Sequence, residues 1–206
     1  MKVSFFSEAD VEAYRVSGDP LLPLLGDPRV AGEECERWLL GSDVRRMIAW
    51  RVYGELLNSP SMRILDVGAG FSSLSYLLAA RHEYRVVDLK RLPTGVEGWV
   101  GDWWDVPVGD WDVVISTDLF PNADQRLAEF LDRFDRQQLR LTLTTYRNRW
   151  YRTRRIDARV EDGSEMEVLT VKAWDWERTA DLIGSKEQAA GDLFANGRQV
   201  CLVDLP

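Results

Sequence analysis

An apolar run that ends in an acid and then in two glycines one residue apart makes RILDVGAGFSS, residues 63–73, the stretch of this chain best suited to chemistry. Gly68 and Gly70, flanking Ala69, let backbone come close to a ligand. A helix opening near Ser72 aims free N–H groups and a partial positive charge at an anion. The spacing partly matches the dinucleotide fingerprint, with Ser73 where that pattern has a third glycine. Asp66, just ahead of the loop, would repel a pyrophosphate but suits a ligand carrying an ammonium or sulfonium group.

A second group stands at residues 145–155, TYRNRWYRTRR, where Arg147, Arg149, Arg152, Arg154 and Arg155 interleave with Tyr146, Trp150 and Tyr151. Tyr146 and Arg147 follow directly on an expected strand, placing them to reach an acceptor, and arginine forks hold carboxylates or phosphates. Arg152, Arg154 and Arg155 read instead as an alternating strand, solvated and paired with Glu161, Glu165 and Glu167 across a hairpin.

The elements that must position these residues follow from hydrophobic pattern. Residues 1–60 show no strand alternation. They open on a Ser7 cap with Asp10 three residues on, continue with helical periods through Ala31–Leu40 and Val44–Leu57, and read as a helical cap. From Met62 the pattern changes to short apolar runs near Arg63–Val67, Tyr84–Asp88, Gly98–Gly101, Asp112–Ser116, Leu139–Thr145 and Arg198–Asp204, too continuous to have a solvated face. Helices are expected over Ser72–Arg81 and Asn122–Phe134. This alternation predicts an α/β fold, a doubly wound, mostly parallel sheet with helices on both faces. Residues 149–174 read as a β-hairpin inserted after the fifth strand of that series. One domain is expected over residues 1–206: the cap (1–60), a cofactor-binding core (61–148), then hairpin, helix and final strand (149–206). In such a sheet ligands sit beyond the carboxyl ends of the strands, which is where the glycine loop lies.

Composition narrows the partners. With 206 residues, 45% hydrophobic, the chain can bury one core of ordinary size. A net charge of −8 argues against DNA binding through phosphates. No leader and no stretch near the roughly 20 apolar residues of a membrane span is evident, so a soluble, cytoplasmic protein is expected. Cys35 and Cys201 lack metal-ligand spacing and read as reduced, buried thiols. His82, past the far end of the first crossover helix, is rejected as a base, and no metal site is expected.

The segments ILDVGAGFSS, VVDLK, VGDWWD and DWDVVISTDLF, in that order across roughly residues 62–145, resemble the class I S-adenosylmethionine-dependent methyltransferases. The resemblance implies a seven-stranded sheet whose last strand, here Arg198–Asp204, is inserted antiparallel. It implies S-adenosylmethionine as cofactor, with S-adenosylhomocysteine as product. It further implies that Asp66, Gly68, Ala69 and Gly70 surround the methionine portion, that Asp88 accepts both ribose hydroxyls, and that Asp102 accepts the adenine amino group. The Trp103 N–H is left for a ring nitrogen, Leu89 and Trp103 sandwich the base, and Ser116 faces the methionine chain through its backbone.

Two departures from the family pattern stand out. The connections Lys90–Glu97 and Trp103–Asp110 are too short and too rich in Pro and Gly for the usual helices. The fourth strand of the core ends in STDLFPNAD rather than in the quartet of amino-methylating DNA enzymes. Methyl transfer asks mainly for alignment and exclusion of water, which the cap would supply. Asp118 is the candidate to orient or deprotonate the acceptor, with a turn residue ahead of Pro121 as the plainer reading. The expected reaction is methylation of an oxygen or nitrogen of a small polar metabolite, a sugar or natural-product intermediate. An RNA or protein methyltransferase, or a non-catalytic partner subunit, is the alternative. The acceptor carries no motif, and a homodimer is left open.

Overall fold

The apolar runs become strands because each is too short for a helix and rich in β-branched residues. The computed structural model describes residues 1–147, 150–156, 166–190, 193–194 and 197–206, with backbone alone for 151–156 and 166–169. In chain order the elements are β1 (Lys2–Phe5), α1 (Glu8–Val16), α2 (Glu34–Gly41), α3 (Asp43–Tyr53), β2 (Arg63–Val67), α4 (Ser73–Ala79), β3 (Glu83–Asp88) and β4 (Glu97–Val100). They continue with β5 (Val113–Thr117), α5 (Leu127–Arg133), β6 (Gln138–Tyr146), β7 (Trp150–Ile156), β8 (Met166–Lys172), α6 (Trp176–Ile183) and β9 (Arg198–Leu205).

Seven strands form one sheet in the order β1-β9-β6-β5-β2-β3-β4, and β7 pairs antiparallel with β8 as a separate two-stranded sheet. The run from β6 to β4 is parallel, whereas β9 lies antiparallel to both β6 and β1. The expected antiparallel insertion of the last strand is therefore present. The seventh strand comes from the amino terminus, where only helices were expected. Strand β1 is four residues long, and the edge it completes is recognisable only through its pairing of Val3 with Val203 and Phe5 with Cys201. Phe5 then meets Trp176 of α6 edge-on at 4.7 Å.

Strand alternation divides the core in two. Ile64, Val86, Val113 and Ile115 face a cluster that takes in Val11, Met47, Val52 and Leu78 from α1, α3 and α4. Leu65, Val87, Val114 and Leu141 face the opposite cluster, with Phe130 of α5 and Trp176 of α6. So the amino-terminal helices roof the same face as α4, over the half of the sheet that carries the glycine loop.

One helix starts later than expected. Helix α5 begins at Leu127 rather than Asn122, because the buried Asn122 amide is used elsewhere: it donates to Thr144 O and accepts from Trp174 N–H at 2.8 Å. The connection after β4 carries one 3₁₀ turn, Trp103–Asp105, and that after β3 no helix, as their composition predicts. No described helix is long and apolar enough to cross a membrane.

Candidate functional site

Period-two alternation along β2 puts Asp66 on the same face as Ile64, beneath α3. There Tyr53 and Tyr84 each donate a hydroxyl hydrogen bond of 2.9 Å to one carboxylate oxygen, Oδ2. The other oxygen, Oδ1, is buried without a partner. Burial lifts the Asp66 carboxyl to about 7, against the pull of the two hydroxyl donors. Burial likewise drives both tyrosine hydroxyls well above their usual range.

The glycine loop next to it is closed from above. Gly70 has φ 53°, and a Cβ there would lie 2.2 Å from Cys35 Sγ of α2. A side chain at Gly70 would have to displace the Cys35 thiol and adopt a strained positive φ. Cys35 is half-exposed rather than buried as a residue, yet its thiol is pushed up to about 11 by desolvation. One turn of that helix also fills the place expected for a ligand anion. Glu36, fully buried, accepts from Ser73 N–H at 2.8 Å, Ser73 Oγ at 2.7 Å and Gly26 N–H. Leu74 N–H is taken by Ser72 Oγ, completing the cap. The start of α4 therefore holds the protein's own carboxylate, a correction to the expectation of free N–H groups.

Beside this deep half lies a shallower one. Asp88 Oδ2 accepts from Gly70 N–H at 3.2 Å and Oδ1 from Lys90 N–H at 2.9 Å, tying the end of β3 to the glycine loop. Leu89 is exposed next to it. Asp102 caps the 3₁₀ turn through Trp104 N–H and accepts from Arg126 Nη2 at 2.9 Å. Trp103 does not offer a face for stacking. Its indole is 4% exposed and packs edge-on with Phe120 and Phe130, and its Nε1–H donates to Asp124 at 2.8 Å. The apolar stripe of α5 pulled it into the core, leaving Trp104 as the surface aromatic. Ser116 is buried, its hydroxyl donating to Val67 O at 3.0 Å.

A cavity of about 330 Å³ opens between α2, α3 and the strand ends. Asp66, the glycine loop, Asp118, Arg45 and Arg198 line it; Asp88, Leu89, Asp102, Trp103, Ser116, Tyr146 and Arg147 do not. Asp118, at φ 57°, accepts from Thr144 Oγ1 at 2.7 Å and from Arg198 Nη2. Tyr146 is half-buried, which raises its hydroxyl, and Arg147 is exposed. Their N–H groups donate to Trp174 O and Gly197 O. Arg149 and the side chains of Tyr151, Arg152, Arg154, Arg155 and their expected glutamate partners lie outside the described residues. His82 serves structure: Nδ1 accepts from Met62 N–H and Nε2–H donates to Leu56 O at 2.8 Å.

Sequence reasoning missed Glu36, Tyr53, Arg45 and Arg198. Glu36 carried a signal, since an acid three and four residues ahead of Leu39 and Leu40 interrupts an apolar helix stripe. The other three are ordinary in their local context and acquire their roles only where the roof meets the sheet.

No protein-family model and no curated protein matches the chain. Among solved structures, it is similar to DhpI in complex with S-adenosylhomocysteine, at 15% identity over 98% of each chain and TM-score 0.51. Lower TM-scores relate it to the S-adenosylhomocysteine-bound N-terminal domain of EvdMO1 (0.49; 15% identity; 76% of this chain and 79% of that). A third is magnesium protoporphyrin IX methyltransferase from Synechocystis PCC 6803 (0.47; 16% identity; 95% and 98%). The sheet order, the antiparallel last strand and the end-to-end match to DhpI give this chain the Rossmann-like fold of the class I methyltransferases.

Proposed function

We propose that this protein is a cytoplasmic enzyme that transfers a methyl group from S-adenosylmethionine to an oxygen or nitrogen of a small polar metabolite. The observation that carries the reading is Asp66: a fully buried carboxylate on the cavity wall with one oxygen unsatisfied, next to a glycine loop. Leaving such an oxygen without a donor costs about 1–3 kcal/mol, more for a charged group, and a ligand ammonium removes that cost. The donor set fits the rest of the cofactor too. Each oxygen of Asp88 and of Asp102 accepts one hydrogen bond within the protein. Lone pairs remain there for ribose hydroxyls and an adenine amino group. That the similar solved structures hold S-adenosylhomocysteine supports the same choice.

When bound, S-adenosylmethionine supplies an already activated methyl group, so the protein's part is alignment and exclusion of water. The roof of α2 and α3 over the loop provides the exclusion. Asp118, held by Thr144 and Arg198 at the cavity wall, orients the acceptor. The test is a calorimetric titration of the purified protein with S-adenosylhomocysteine beside NAD. Micromolar binding of the first alone is expected, and no binding by folded protein overturns the reading.

A further inference from the structure

Two guanidinium groups from opposite ends of the chain share this one cavity. Arg198 opens β9 and is engaged by Asp118, its guanidinium 4.9 Å from the Phe194 ring centre. Arg45 stands on α3, its guanidinium 4.3 Å over the ring of Trp38. Arg45 makes no side-chain hydrogen bond or ion pair with any described residue. Glu34, the other acid near it, turns to Lys90 at 4.0 Å. Burial and the neighbouring Arg198 both pull the Arg45 guanidinium below its usual range, partly offset by Asp118. Asp118 compensates one of the two positive charges and leaves the other standing. In a chain of net charge −8, an unmatched, half-buried cation facing a second one is costly unless a ligand brings the missing negative charge.

Most of the remaining wall is apolar and aromatic, with Trp38, Leu39, Ile48 and Phe194, while Ser72, Ser75, Thr117 and Thr142 add hydroxyl groups to it. An acceptor with no apolar face would leave that apolar surface unmatched. An arginine fork beside apolar surface suits an acid with a hydrophobic body.

We infer that the acceptor is an organic oxyanion, a carboxylate or phosphate ester with an apolar body, held between Arg45 and Arg198 with its body against Trp38 and Phe194. This rests on the methyl-transfer reading for calling the ligand an acceptor. Arg45 here is a specificity residue, and Asp118 keeps Arg198 in place to share the anion. Arg147 was expected to hold such a group; the arginines that line the cavity come from α3 and β9.

The test compares benzoate, phenyl phosphate and neutral benzamide by titration into the protein, with and without saturating S-adenosylhomocysteine. Wild type is expected to prefer at least one of the two anions over benzamide by about tenfold or more, the worth of one charge-assisted hydrogen bond. The tighter anion tells carboxylate from phosphate. Arg45→Met keeps the apolar stem and removes the charge, so the preference should fall below about threefold while S-adenosylhomocysteine affinity stays within about twofold. Arg45→Lys should retain part of it. Equal binding of all three probes overturns the inference, as does a preference that survives Arg45→Met. A roughly tenfold loss of S-adenosylhomocysteine affinity in Arg45→Met with benzoate unchanged also overturns it, by assigning Arg45 to the cofactor carboxylate. Failure of wild type to bind S-adenosylhomocysteine removes the methyl-transfer reading separately, and the anion comparison without it still decides whether the pair grips an oxyanion.

Discussion

Asp66 and Asp88 both lie at the carboxyl ends of neighbouring parallel strands, within reach of the same glycine loop, yet they live in opposite environments. Asp66 lies under α3, 1% exposed, with two donors crowded on one oxygen and none on the other. Asp88 is half-buried at the surface, each oxygen met by a backbone N–H. The residue type is the same; the roof makes the difference. It turns a strand-end acid into an acceptor that is costly to charge until a cation arrives.

Removing the roof's anchor should break that contrast, and with the largest effect. Glu36 is the sole side chain that joins α2, the loop at Gly26 and the start of α4 among the described residues. Glu36→Ala removes a buried carboxylate with its three hydrogen bonds and leaves the buried Ser73 N–H and the exposed Gly26 N–H without that partner. A loss of about 4 kcal/mol is expected, or roughly 10 °C in Tm for a chain of this size, read by thermal and urea unfolding. A loss under about 1 kcal/mol would mean the roof is held by its apolar contacts alone.

Next come the two acids themselves. Asp66→Asn should weaken S-adenosylhomocysteine by about 2 kcal/mol, roughly 30-fold, and at pH 8 stabilise the free protein by on the order of 1 kcal/mol, because a desolvated charge is removed. Asp88→Ala should cost about 2 kcal/mol of affinity with no stabilisation. Opposite signs in stability with similar losses in binding are the signature of the two environments. If Asp66→Asn destabilises the free protein instead, the two tyrosines rather than burial dominate its energetics.

Titration sharpens the same point. Because the folded carboxyl is raised to about 7, the free protein holds that proton over a range where the unfolded chain has lost it. Its stabilising contribution is therefore complete below the unfolded value and is lost as pH rises through about 7. Binding has the reverse sign: a ligand ammonium needs the carboxylate charged, so affinity should fall on acidification below about 7, with a slope approaching tenfold per pH unit. Calorimetry of S-adenosylhomocysteine between about pH 5.5 and 8 reads it, and Asp66→Asn should flatten the profile. A flat wild-type profile would remove Asp66 from contact with the ammonium.

This contrast also marks what a sequence displays. The strands β2, β3, β5 and β6 were legible because parallel strands buried on both faces read as continuous apolar runs, and the antiparallel β9, inserted between β1 and β6, reads the same way for the same burial. Strand β1 was not, since four residues before a helix cap look like a lead-in and its partner lies at the other end of the chain. The glycine loop and Asp66 announced themselves by spacing. Their roof did not: Glu36 meets Ser73 and Tyr53 meets Asp66 across tertiary contacts that no local window contains. Trp103 failed for the same reason, since its place was decided by Phe120 and Phe130 rather than by its neighbours in sequence.

The smallest effect belongs to the shallow half. Arg126 bonds Asp102 and Asp124 and lies over the Trp103 ring at 4.7 Å, but its side chain is 39% exposed. Solvent screens such pairs, so Arg126→Met should cost only about 1 kcal/mol of stability, most of it from the better buried Asp124. Its effect on ligand is the informative part. Asp102 loses a fixed partner yet keeps the Trp104 N–H, so the carboxylate stays in place with more acceptor capacity free. S-adenosylhomocysteine affinity should then change by less than about threefold, measured beside wild type at one salt concentration. A loss as large as that of Asp88→Ala would show that Arg126 preorganises the shallow half as strictly as the roof does the deep one, and the contrast between the two aspartates would narrow to burial alone.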